Sequence, residues 1–339
     1  MAVPATASPA LGSRAQRLEA REKVTGAARY AYEHPREDAA YGWIIGATIA
    51  RGTIRSIDAG PALAAPGVIA ILTHENAPEL QPVPDGELSI LQSPEVSYRG
   101  QIIGAVVAET LEAAREAAAL VRIGYDDGGH DVMLTPQHPK LYKPDVVNPR
   151  FPTDTEQGDC DAAFAQAAVQ LDATYTTAAT HNNPMEPHAT MAVWDGGALT
   201  LYDSTQGAPS ARESVAKVLG LDPQQVRVIS PHVGGGFGSK GTPRPHVVLA
   251  ALCAKVTDRP VKLAVTRQQM FDLGLVTGCA TRPSSPASAS WRSRRPGPMP
   301  GSVPTRSATS GPRGSTPPAA SSTSTTRSGE SGATGRSST

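Results

Sequence analysis

The sequence predicts an α+β fold, and three observations carry that reading. A compact β–α–β arrangement of short apolar strands around one helix occupies residues ~25–130. A second region mixes strands and helices and runs one strand directly into a glycine cluster at 233–241. Beyond Asp272 the composition changes so sharply that no third folded unit is expected.

The elements follow in order. RLEAREKVTGAARY (17–30) is a polar lead into the first region. GWIIGATI (42–49) reads as a buried strand, and Asp58–Pro66 as a turn into a second strand, VIAIL (68–72). A Pro-rich loop spans Asn76–Pro94. QIIGAVVA (101–108) is strand-like. Thr110–Leu120 is rich in strong helix formers, with Thr110 as N-cap, and Val121–Tyr125 returns as a strand. Thr135–Pro152 has linker composition. Asp161–Ala168 predicts a short helix, and the alternation of Val169–Thr180 a strand. Thr190–Trp194 and Ala198–Tyr202 flank Asp-Gly-Gly, a hairpin signal. Ala208–Leu219 is an amphipathic helix stopped by Gly220. Val226–Ser230 and Val261–Val265 read as strands, and Pro245–Lys255 as a helix.

Composition excludes several functions. The 339 residues suggest about two domains. Lys and Arg together balance Asp and Glu at 31 each, which gives no electrostatic reason to expect nucleic acid. No apolar run approaches the ~20 residues of a membrane span, and no export signal is visible at the N-terminus. Cys160, Cys253 and Cys279 have no spacing suited to zinc or an iron–sulfur cluster. After Asp272 come eight arginines, no lysine and a single acid, Glu330, among Ser, Thr, Pro, Gly and Ala. Such a segment cannot bury enough apolar surface to offset its ordering entropy. It is either a disordered basic tail or the product of a frame error in a GC-rich gene, whose out-of-frame codons spell these residues; the second reading is preferred.

Three motifs could carry chemistry. Val233-Gly-Gly-Gly-Phe-Gly-Ser-Lys240 follows a strand, and its successive N–H groups could form an anion nest. It fails the Walker pattern because Ser239 stands where glycine is needed, and fails GxGxxG for the same reason. Ser204-Thr205-Gln206-Gly207 ends a strand, and the Gln206 amide can bond a ligand without adding charge. His181-Asn-Asn-Pro-Met-Glu-Pro-His188 holds two histidines and a glutamate, but its prolines break the helix that HExxH zinc binding needs. It reads better as a rigid loop lining a pocket.

NPMEPHA, then STQ, then GGGFGSK, in that order and spacing, resembles the molybdopterin-binding large subunit of the xanthine dehydrogenase/aldehyde oxidase family. GSKGTPRPHVVLAALCAKVTDRPVKLAVTRQQMF looks most like bacterial aldehyde-oxidising members. The resemblance implies an α/β hammerhead domain over 21–133 after an N-terminal lead (1–20). A linker (134–152) and the first part of the molybdopterin-binding domain (153–272) follow, before the low-complexity tail (273–339). It implies that Gln206 hydrogen-bonds the oxo ligand of molybdenum, that Phe237 and Gly238 lie beside the metal, and that Gly235 and Gly236 shape the loop. Glu186 and His188 are implied near the substrate funnel, with no side chain ligating the metal. The implied cofactor is molybdenum-molybdopterin in its cytosine dinucleotide form. The implied reaction oxidises an aldehyde, or hydroxylates an N-heteroaromatic carbon, with oxygen from water. Electrons then pass to a [2Fe-2S] small subunit and an FAD medium subunit, with no nucleic-acid or membrane partner. The expected location is cytoplasmic, with export on a partner's signal left open.

This chain departs from the family's GGGFGGKE at Ser239 and Gly241, which disfavours purines and leaves aldehydes. The family's general-base glutamate lies far downstream, and Glu330 cannot replace it. The chain is therefore expected to be a truncated, frameshifted large subunit. Either its missing half lies on another polypeptide or it is a non-catalytic fragment that at most binds a partner. A nucleotide-binding module is a third reading, weakened by the failed phosphate-loop patterns.

Overall fold

The structure, a computed structural model, describes residues 16–273 except 84–85, 132–137, 148–150, 156, 172 and 174–180. After α1 (Ala20–Thr25), β1 (Ala40–Gly46) and β2 (Gly52–Asp58) lead to the one-turn α2 (Gly60–Leu63) and β3 (Val68–Thr73). Then come β4 (Glu95–Val96), β5 (Ile102–Ala108), α3 (Leu111–Leu120) and β6 (Arg122–Asp127). A two-residue ladder, β7 (Val146–Val147) with β8 (Phe151–Pro152), precedes α4 (Cys160–Ala165). The second region is β9 (Ala189–Asp195), β10 (Ala198–Asp203), α5 (Ala208–Leu219), β11 (Val226–Ile229), α6 (Pro245–Thr257) and β12 (Val261–Ala264). Within these, the mixed α and β class stands as expected.

One seven-stranded sheet, in the order β11-β10-β9-β12-β1-β5-β3, runs through both regions. The joint is a parallel pairing of β1 with β12, Ala40 opposite Val261 and Gly42 opposite Leu263. Gly42 suits this joint, since a Cβ there would lie 3.1 Å from Leu263 Cδ1. A smaller antiparallel sheet, β4-β2-β6, packs its own apolar cluster around Ile54, Val96 and Ile103.

β5 is buried along its whole length because both faces are covered. Ala105 and Val107 join the main core, while Val106 packs with Ala62, Ile71 and Ala117 under α2 and α3. The main core centres on α6, whose residues 245–254 are all buried. Apolar on every side, α6 can only be a central helix. The Trp194 indole N–H, on β9, donates to Ala251 O of α6 at 2.9 Å.

Thr110 caps α3 as expected, its hydroxyl accepting from Ala113 N at 3.1 Å. Thr110→Ala should cost about 1 kcal/mol of stability, measured by urea unfolding. Three expectations shift. β2 had no counterpart in the sequence reading, because only Ile54 is buried and a bulge between Ile54 and Ser56 breaks the alternation. α4 is capped by Asp159, which accepts from Ala162 N at 2.9 Å, so it starts and ends earlier than 161–168. The expected strand at 169–180 falls mostly outside the described residues, and residues 169–171 are not in a strand. The tail beyond 273 lies outside them too. Among the described residues no helix is long and apolar enough to cross a membrane.

Candidate cofactor site

Topology brings the three motifs to one end of the sheet. β10 and β11 are parallel neighbours, with Tyr202 opposite Ile229, so the segments after both strands emerge side by side. β9 is antiparallel to β10, with Thr190 opposite Asp203, so the segment entering β9 arrives at the same end. Thus 181–188, 204–207 and 230–244 meet although they span some sixty residues of sequence. Ligands of open α/β sheets favour such strand ends.

The glycine loop is built around Gln206. The Gly238 N–H donates to Gln206 Oε1 at 3.3 Å, and the Gln206 N–H donates to Lys240 O at 2.9 Å. A Cβ on Gly236 would fall 2.3 Å from Gln206 Oε1, so only glycine lets the amide lie there. Gly235 and Gly238 hold φ of 95° and 93°. Phe237 also takes a positive φ, 51°, and its ring is 75% exposed. Asn182 Nδ2 holds that turn by donating to Phe237 O at 2.6 Å. The N–H groups of Gly235, Gly236 and Phe237, and Gln206 Nε2, have no hydrogen bond among the described residues. The result is a cluster of backbone and amide donors without acceptors beside an exposed ring. It fits a ligand rich in oxygen acceptors, such as an oxo-bearing pterin cofactor.

Glu186 and His188, expected near a substrate funnel, are both held by neighbouring groups. Glu186 Oε2 accepts from Gly234 N and from Lys240 Nζ, each at 2.7 Å, and Lys240 Nζ also reaches Glu186 O at 2.9 Å. Lys240 is fully buried, and desolvation lowers its pKa against the opposing pull of Glu186. His188 is 3% exposed, its ring 5.4 Å from that of His246. Arg267 braces the same loop, donating to Asn183 Oδ1 at 2.9 Å, Met185 O at 2.7 Å and Pro184 O. Arg244 ties Ser239 O (2.9 Å) to Glu87 (3.1 Å), linking the glycine loop to the first region. The sequence reading gave Lys240, Asn182, Arg244 and Arg267 no role. Arg267 and Asn182 had no signal in sequence, whereas a lysine inside a glycine cluster could have drawn attention.

Behind the loop lies a buried titratable group. Asp203 accepts from Thr190 Oγ1 at 2.5 Å and lies 3.8 Å from His246 Nε2. Burial pushes Asp203 up to about 6 and His188 down to about 3. Burial, with His188 next, drives His246 well below the usual histidine range. A histidine lowered from 6.5 stabilises fully above that pH and loses its contribution as pH falls through its folded value. Asp203, raised from 3.8, acts oppositely: its contribution is full below 3.8 and lost as pH rises through about 6. Two histidines oppose one aspartate, so stability should fall on acidification from about pH 7 to 4. His246→Leu should flatten that slope in denaturant titrations across pH; an unchanged slope would refute the assignment.

Comparisons with known proteins agree with this geometry. Residues 25–128 match the family described as aldehyde oxidase and xanthine dehydrogenase, a/b hammerhead domain. Residues 140–276 match the molybdopterin cofactor-binding domain. The aldehyde oxidoreductase molybdenum-binding subunit PaoC of Escherichia coli (strain K12) is 43% identical over 253 residues, covering 74% of this chain and 34% of that protein. Mouse xanthine dehydrogenase/oxidase is 31% identical over 269 residues, covering 77% of this chain and 19% of that protein. The reconstituted CO dehydrogenase from Oligotropha carboxidovorans superposes with a TM-score of 0.65 at 27% identity, covering 77% of this chain and 35% of that one. The chain thus spans about a third of the length of PaoC. The chain belongs to the xanthine dehydrogenase/aldehyde oxidase family and corresponds to part of its molybdenum-binding subunit.

Proposed function

We propose that this chain forms part of a molybdenum hydroxylase large subunit that oxidises an aldehyde. The observation that carries the reading is the Gln206 cradle. The Gln206 carbonyl is taken by the Gly238 N–H, which leaves its Nε2 and three loop N–H groups as donors with no protein acceptor among the described residues. Bound molybdopterin, in the cytosine dinucleotide form, would supply two-electron redox chemistry with oxygen drawn from water. Gln206 Nε2 would orient it by donating to an oxygen, and the N–H groups of Gly235, Gly236 and Phe237 would hold it without adding charge. Phe237, exposed and fixed by Asn182, would offer an apolar wall to a carbonyl substrate. Absence of a carboxylate at Gly241 favours aldehydes over purines, and N-heteroaromatic carbons are the alternative substrates. Electrons would leave through [2Fe-2S] and FAD partner subunits. The similarity to PaoC at 43% supports the aldehyde assignment.

A second reading, a chain that binds partners without turnover, is favoured by one observation. The carboxylates bonded into this cluster, the partly buried Glu186 and the buried Asp203, are both engaged by protein donors, so neither is placed to act as general base. Assay of aldehyde oxidation by the chain co-produced with iron–sulfur and flavin subunits separates the two. Turnover lost in Gln206→Ala supports the first reading. No turnover by a molybdenum-loaded preparation supports the second.

A further inference from the structure

The three motifs converge on one residue whose side chain the proposed chemistry does not use. Lys240 belongs to the glycine loop, its carbonyl accepts the N–H of Gln206, and its ammonium reaches the third motif at Glu186. The Thr205 hydroxyl also donates to Lys240 O, at 3.3 Å. Glu186 in turn brackets Gly234, accepting its N–H at Oε2 and donating its own N–H to Gly234 O at 3.1 Å. The pair is almost wholly enclosed, with side-chain exposures of 0% and 13%, and Glu186 Oε1 has no hydrogen-bond partner among the described residues. A buried ion pair of this kind rarely adds net stability over an apolar pair of similar volume, but breaking one half leaves a stranded charge. Its best-attested use is to fix register.

We infer that Lys240 is a positioning residue, whose ammonium, pinned to both the carbonyl and the carboxylate of Glu186, sets the height of its own backbone carbonyl and thereby the aim of Gln206 into the cofactor cradle. The link is one continuous chain: Glu186 holds Nζ, the lysine side chain fixes residue 240, and Lys240 O fixes the Gln206 amide. The functional half of this inference rests on the proposed molybdenum site; the mechanical half does not.

The test reads both halves on the chain co-produced with its partner subunits in a host that makes the molybdenum cofactor. Hydrogen exchange at the Gln206 amide reports the link directly, with or without metal. Lys240→Met should speed it about tenfold while amides of α6 hold their protection, and Lys240→Arg should restore most of it. Lys240→Met strands the Glu186 carboxylate, so Lys240→Met/Glu186→Gln removes both charges. That double variant should recover the melting temperature yet keep the fast Gln206 exchange and retain about tenfold less molybdenum than the parent. A double variant that recovers protection and molybdenum together with its melting temperature would overturn the proposal and leave the pair a stability element. Unchanged Gln206 exchange in either methionine variant would overturn it too. If the parent chain itself holds no molybdenum but exchange behaves as described, the link stands and the molybdenum reading falls.

Discussion

Gly236→Ala should strip the site of molybdenum while barely touching the fold. The added methyl would sit 2.3 Å from Gln206 Oε1 and 2.4 Å from its Cδ. Something must move, and the amide end of the Gln206 side chain, which is exposed, can swing aside. Gly236 does not require a positive φ, so alanine carries no backbone strain. The stability cost should therefore stay within about 1 kcal/mol. The displaced amide loses its bond from Gly238 N and its aim, so molybdenum per chain should fall at least about tenfold. Gly238→Ala is the informative contrast. It meets nothing closer than 3.7 Å but must adopt φ +93°, so it should destabilise by about 1–2 kcal/mol through strain. Metal analysis beside thermal melts checks both; equal metal content in Gly236→Ala and the parent would refute the cradle.

Leu263→Ala should be the most damaging single truncation for the fold. Leu263 is fully buried on β12, which joins β1 on one side and β9 on the other. Its removal leaves a cavity at the seam of the seven-stranded sheet and should cost about 2–5 kcal/mol. Because the seam is shared, amide exchange should accelerate in β5 and in β10 together. Loss of protection on one side alone would show that the two regions unfold separately.

What was legible in the sequence depended on burial being local. β5 and α6 are continuous apolar runs, and their lengths alone separate strand from helix. Thr110 and Gly220 mark helix ends through chemistry that acts within a few residues. β2 was illegible because its single buried side chain, Ile54, sits beside a bulge. The 261–265 strand was visible, but its parallel partner lies more than 200 residues away and left no trace in pattern. Gln206 stood out at a strand end for its uncharged amide, against a reading as a polar surface residue; the resemblance gave it a role, and the Gly236 contact supplies a physical reason. Glu186 and His188 were implied near a substrate funnel by the resemblance alone, since the motif itself read only as a rigid loop lining a pocket. The Glu186 carboxylate is enclosed because Lys240, 54 residues away, arrives with a countercharge, and the buried His188 packs its ring against His246.

The central claim is that Gln206 and the loop 235–238 hold a molybdenum cofactor. The most direct measurement is molybdenum and released pterin nucleotide per chain, taken on the parent and Gln206→Ala purified from a host that makes the cofactor. About one molybdenum and one pterin per parent chain, with both lost from a folded Gln206→Ala, is the predicted result. A folded parent chain without molybdenum, or a Gln206→Ala chain as fully loaded as the parent, would contradict it.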